Sequence, residues 1–212
     1  MASVGVAATS LVLASCSSDA ARTAAAGAPD GSVRKDGGPV EALEAGPVDS
    51  GAPPPAPSCA DYCGLVMESC TGEHAQYADA KECLAFCALM PEGTAGDTDR
   101  SSLACREVYA GTPALTDAVT YCPAAGPFGG GICGDRCTSF CQLAMAVCGP
   151  TPYGSYADCA SACVTFAFKD AGEGPSGPES GDSLNCRLYH LRDAIRGGAG
   201  CAEIVADSGA CR

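Results

Sequence analysis

Apolar positions along this chain fall into three unlike stretches. Val4–Ala14 is an eleven-residue, mostly apolar run. It suits the core of a secretory signal and is too short to cross a bilayer, which takes about 20 residues as a helix. From Ser17 to Ser58 the apolar residues are scattered among Gly, Ser and charges, with seven prolines, no aromatic residue and no cysteine. Such a segment cannot bury enough surface to offset its chain entropy, so it is expected to be a disordered spacer. As a flexible coil it would hold the rest of the chain about 35 Å from its point of attachment.

From Cys59 onward the pattern becomes helical. Cysteines four and then seven residues apart, at Cys59, Cys63 and Cys70 and again at Cys137, Cys141 and Cys148, return to nearly one face at 3.6 residues per turn. Leu65, Val66 and Met67 fill the first interval, and Leu143, Ala144 and Met145 the second. A second short helix is predicted around Cys83 and Cys87, and around Cys159 and Cys163. A third begins near Ser101 or Ser183, whose hydroxyl can cap it. The Gly- and Pro-rich stretches Pro91–Arg100, Pro123–Ile132 and Ala171–Asp182 read as surface loops. The fold class expected is mainly α: two small disulfide-stapled helical-hairpin modules in tandem after a disordered linker.

The cysteines make the tandem explicit. Sixteen of the 17 fall into two sets of eight, Cys59, Cys63, Cys70, Cys83, Cys87, Cys105, Cys122 and Cys133, then Cys137, Cys141, Cys148, Cys159, Cys163, Cys186, Cys201 and Cys211. Both sets span 74 positions, with steps of 4, 7, 13, 4, 18, 17 and 11 against 4, 7, 11, 4, 23, 15 and 10. Other residues follow the register: Tyr62 with Phe140, Leu65 with Leu143, Met67 with Met145, Tyr77 with Tyr153, and Ser102-Leu103 before Cys105-Arg106 with Ser183-Leu184 before Cys186-Arg187. The chain is therefore read as an internal duplication. Its expected divisions are 1–15 signal peptide, 16–58 lipidated cysteine and linker, 59–133 first repeat and 134–212 second repeat.

Two cysteines one helical turn apart face a common neighbour and do not readily bond to each other. Pairing outer with outer and inner with inner across an antiparallel hairpin gives Cys59 to Cys87 and Cys63 to Cys83, and likewise Cys137 to Cys163 and Cys141 to Cys159. First guesses for two further bonds are Cys70 to Cys105 and Cys148 to Cys186. Cys122, Cys133, Cys201 and Cys211 have no assigned partner. The twin segments resemble the twin Cys-x3-Cys helical hairpin over about thirty residues per copy, by spacing alone. The additional cysteines depart from that family, so its roles in metal delivery and import do not carry over.

Leu13-Ala14-Ser15-Cys16 resembles the lipobox of bacterial lipoproteins, although no Lys or Arg precedes it. The resemblance implies cleavage before Cys16, acylation of its thiol and of the new amino group, and anchoring in a lipid bilayer. Ser17, where lipoproteins kept in the inner membrane often carry Asp, points to the outer membrane, facing the periplasm or the cell surface. Setting Cys16 aside leaves an even number of cysteines, able to pair fully in an oxidising compartment. With its linker and paired Cys-Arg segments, the chain also looks like small cysteine-rich lipoproteins of large-genome bacteria. That resemblance implies no activity.

Composition narrows the chemistry. Trp is absent, aromatic residues make up 6% and charged residues 17%, so a large aliphatic and aromatic core is ruled out and covalent cross-links must help hold the fold. A net charge of −13 argues against nucleic acid, whose affinity comes from cationic side chains. No Cys-x2-Cys occurs, which removes the thioredoxin motif, the zinc-ribbon knuckle and covalent haem attachment. Neither His74 nor His190 has a nucleophile and an orienting group in its local sequence. Arg106 and Arg187, each following a cysteine, are expected to fix the third helix through an ion pair or a hydrogen bond. No catalytic residue, metal ligand set or cofactor is expected. The reading is a membrane-anchored envelope lipoprotein that binds an envelope protein or an extracellular ligand, or serves a structural role. The alternatives are a thiolate metal-binding protein, which needs reduced cysteines, and a secreted enzyme without a recognisable motif.

Overall fold

The computed structural model describes residues 55–169 and 173–212. The signal peptide 1–15, Cys16 and most of the linker lie outside the described residues. All described residues belong to one unit, Asp49–Arg212. They form helices and 3-10 turns, with no strand among them.

In the first repeat α1 spans Cys59–Ser69, α2 Ala80–Cys87, α3 Leu103–Ala110, α4 Thr112–Thr116 and α5 Ala118–Ala125, followed by a 3-10 turn at Gly129–Gly131. In the second, α6 spans Arg136–Cys148, α7 Tyr156–Cys163 and α8 Leu184–Ile195, with a 3-10 turn at Gly200–Ala202. Corresponding helices start on side-chain caps, in register at Asp79 and Ser155 and at Ser102 and Ser183, and one position apart at Ser58 and Asp135, each accepting a backbone N–H from three residues ahead. Each cap contributes about 1 kcal/mol. The cap of the third helix is Ser102, one residue after Ser101.

The repeats differ after the third helix. At Gly111, with ψ −130°, the backbone leaves helical geometry, and Pro113 in the first turn of α4 starts a new segment. In the second repeat Arg192 occupies the corresponding position, and α8 continues unbroken to Ile195.

Both repeats carry one disulfide topology: first cysteine to fifth, second to fourth, third to seventh, sixth to eighth. Cys59 is bonded to Cys87 and Cys63 to Cys83, and in the second copy Cys137 to Cys163 and Cys141 to Cys159. The guesses joining Cys70 to Cys105 and Cys148 to Cys186 are corrected, because Cys70 is bonded to Cys122, Cys148 to Cys201, Cys105 to Cys133 and Cys186 to Cys211. Cys70 closes the carboxyl end of α1, against which α5 brings Cys122. Cys105 stands in the first turn of α3 and meets the segment running into Cys133.

A second correction concerns Pro123–Ile132. Pro123–Ala125 complete α5, and Gly126–Gly129 are buried, with Phe128 1% exposed. The Phe128 ring packs edge-on to Phe86, 6.1 Å between centroids. Most of Pro91–Arg100 is exposed, as is much of 176–182. The core runs through both repeats and interleaves half-cystines with Tyr62, Val66, Phe86 and Phe128, then Phe140, Leu143, Leu188, Leu191 and Ile204.

Candidate functional site: the arginine clamps and the repeat junction

The stretch after the seventh cysteine is irregular in both repeats, buried in the first and partly exposed in the second, and its inward-facing carbonyls need partners. Three consecutive ones obtain them from two side chains. In the first repeat the Tyr62 hydroxyl donates to Ala125 O (2.6 Å), Arg106 Nε to Gly126 O (3.0 Å) and Arg106 Nη2 to Pro127 O (3.0 Å). In the second, the Tyr153 hydroxyl donates to Ile204 O, Arg187 Nε to Val205 O (3.3 Å) and Arg187 Nη2 to Ala206 O (3.1 Å). Counted from Cys122 and Cys201, the accepting positions are the same. The phenol comes from different places: Tyr62 lies in α1, where the second repeat has Phe140, and Tyr153 corresponds to Tyr77.

Each arginine also ties back to its own helix, Nη1 donating to the carbonyl of the capping residue, Ser102 or Ser183, at 3.0 Å. Both guanidinium groups are buried, and burial pushes Arg106 down from its ordinary value. Arg187 lies over the Phe166 ring at 3.7 Å and reaches Asp182 at 3.1 Å. The Cys-Arg pair thus fixes one loop twice, covalently through the cysteine and by charge-assisted hydrogen bonds through the arginine. Its geometry is that of an internal strut.

The junction between repeats is built from a third buried arginine that sequence reasoning missed. Arg192 of α8 donates to Glu82 Oε1 (3.3 Å), Gln76 O (3.0 Å) and Glu173 O (2.7 Å). Its guanidinium carbon lies 5.3 Å from the Phe86 ring centre and 5.4 Å from that of Phe128. Glu82 also accepts Ala78 N while its own N–H binds Asp79, so it closes the start of α2. Beside it, Arg106 Nη2 donates to Ser139 Oγ of α6 at 2.9 Å, and Ser101 Oγ lies 2.9 Å from the same oxygen. Arg136 pairs with Glu173 and lies over Phe168 at 4.0 Å. No repeat marks Arg192, whose counterpart is Gly111, and Glu82 has an acidic counterpart in the exposed Asp158, so nothing local distinguishes the buried carboxylate.

The two histidines are not brought together with a nucleophile. His74 sits beside Glu73, 3.7 Å away, and His190 Nε2 contacts Glu179 O at 3.0 Å. A ligating atom of His190 and the sulfurs of Cys186 and Cys211 lie within 4.8 Å of one another. Both sulfurs are spent in one disulfide, so in this state they offer no thiolate.

Burial raises the Tyr62 hydroxyl to about 12 and Tyr77, 2.7 Å away, well above the ordinary phenol value. A raised folded value leaves stability intact below the unfolded value near 10. The contribution is lost as pH rises toward 12, on the order of 3 kcal/mol for Tyr62. In an alkaline absorbance titration, Tyr62 and Tyr77 are expected to ionise only as the helical signal collapses, lagging the exposed phenols. Ionisation of all seven tyrosines in one step near 10, with the helices intact, would contradict this.

Among known proteins, residues 57–136 match the family described as the BfoA family C-terminal domain. That match covers the first repeat and ends where α6 begins. No curated protein and no solved structure matches the chain.

Proposed function

We propose that this chain is an exported, lipid-anchored envelope protein whose duplicated disulfide-stapled body acts as a non-catalytic binding or structural module. The observation carrying this reading is that all 16 cysteines from Cys59 to Cys211 are bonded, in one topology used twice. Bonds of this kind form and persist outside the cytoplasm. In this reading Cys16 carries the acyl chains that hold the protein to the outer membrane, since two or more are needed for stable anchoring. The buried arginines serve the fold, and the exposed segments 91–100 and 176–182 are free to meet an envelope protein or extracellular ligand.

Intact mass of the native protein, before and after reduction with alkylation, tests the reading. The expected result is an acyl increment on Cys16 and no alkylation until reduction. Unmodified Cys16 would overturn the anchor. Free thiols with co-purifying metal would favour the thiolate carrier instead.

A further inference from the structure

The repeats place one and the same face in different surroundings. In the second repeat, Ser139 and Leu143 of α6 and Leu188 of α8 are buried. First-repeat groups cover this side, Arg106 and Ser101 meeting Ser139 while Arg192, one turn beyond Leu188, reaches Glu82. The register carries this face onto α1 and α3 of the first repeat, where Ser139 becomes Asp61, Leu143 becomes Leu65, Leu188 becomes Glu107 and Tyr189 becomes Val108. There it is open. Asp61 and Val108 are exposed, and a hollow of about 300 Å³ is lined by Pro57, Leu65, Ala104, Glu107 and Val108. One carboxylate oxygen of Glu107 is buried without a hydrogen-bond partner, an arrangement that costs free energy until a donor arrives.

The exchange of Ser for Asp and Leu for Glu says what the occupant must bring. The covering group on the second repeat supplies a guanidinium at Ser139. On the first repeat the same place holds a carboxylate, flanked by apolar Leu65 and Val108. A second copy of this chain does not fit. Of the second-repeat positions matching the covering residues Arg106, Ser101 and Glu82, Arg187 is fully buried and spent on carbonyls of its own repeat, while Asp182 and Asp158 are exposed and would set like charge against like.

We propose that the α1 and α3 face of the first repeat is a docking site for a basic, apolar-flanked segment of another protein, with an arginine or lysine set beside leucine-like side chains. The inference rests on the binding-module reading and assigns the contact to this face, not to segment 176–182.

The test uses the full chain, isotope-labelled, titrated with a short peptide alternating Leu and Arg and with its Leu and Glu counterpart. Shifts are expected in α1 and α3 with the basic peptide only. Val108→Glu is expected to weaken binding about tenfold, Glu107→Gln less, and Val164→Glu, on another exposed side, not at all. Val108→Glu adds an anionic charge that would tighten a merely electrostatic association, so its loss of affinity is diagnostic. Equal binding by both Glu variants, no binding, or self-association of the chain through this face overturns the proposal. Shifts confined to segment 176–182 would overturn it while leaving the binding-module reading in place.

Discussion

Full reduction of the eight disulfides is expected to unfold the body at room temperature, abolishing most of its far-ultraviolet helical signal and its cooperative melt. The helices are 5 to 13 residues long, a length at which isolated helices are marginal in water. The core that gathers them is built in large part from the half-cystines. Bonds closing 18 to 28 residues each contribute about 3 kcal/mol in the chain-entropy account, and those closing 52 and 53 residues about 4 kcal/mol. A domain is stable by only about 5–15 kcal/mol, so losing any two bonds removes a large part of it. Among single bonds, replacing Cys70 with Cys122, or Cys148 with Cys201, by serine pairs should lower stability more than replacing Cys141 with Cys159. Denaturant titration measures the ranking. A reduced and alkylated protein that kept its helices and a sharp transition would place the stability in side-chain packing instead.

What was legible in the sequence is what spacing encodes. Cysteines one turn apart mark helices, equal steps in two sets mark a duplication, and a hairpin leaves one way for the outer and inner cysteines to meet. The cap of the third helix was legible at Ser183 and one residue off at Ser101, since a capping side chain accepts the backbone N–H three positions ahead. The bonds from Cys70, Cys105, Cys148 and Cys186 were not, because they depend on how the segment after the third helix lies across the end of the first, which spacing along the chain does not encode. Pro123–Ile132 departs from the surface-loop expectation because glycine and proline normally mark exposed backbone. Here Tyr62 and Arg106 supply the hydrogen bonds that water would otherwise provide, which lets the segment be buried. The matched Cys-Arg pairs carried that signal, since only a repeated need would keep an arginine in both copies of a chain so poor in cations. The alternating exposure of the α1 and α6 faces could not be read at all from a sequence in which Leu65 and Leu143 look alike.

The same limit hid the pair between Glu82 and Arg192, 110 residues apart, and its removal is the other large effect. Arg192→Ala is expected to destabilise the protein by about 3–5 kcal/mol, because it leaves Glu82 as an uncompensated buried charge. The carbonyls of Gln76 and Glu173 also lose their donor. Glu82→Ala should cost as much or more, since that carboxylate also receives Ala78 N at the start of α2. The double change Glu82→Leu with Arg192→Met should fall well short of the sum, because an apolar pair of similar volume beside Phe86 and Phe128 carries no desolvation penalty. The distinction matters for how the repeats behave together. Each has its own four bonds and its own arginine strut, so what makes them unfold as one is the junction. Calorimetry should show one transition for the parent chain and two for Arg192→Ala, with the double variant restoring one. Two separate transitions in the parent, or a loss below about 1 kcal/mol in Arg192→Ala, would mean that the repeats are held together by the Ser101, Arg106 and Ser139 contacts and that the buried ion pair contributes little.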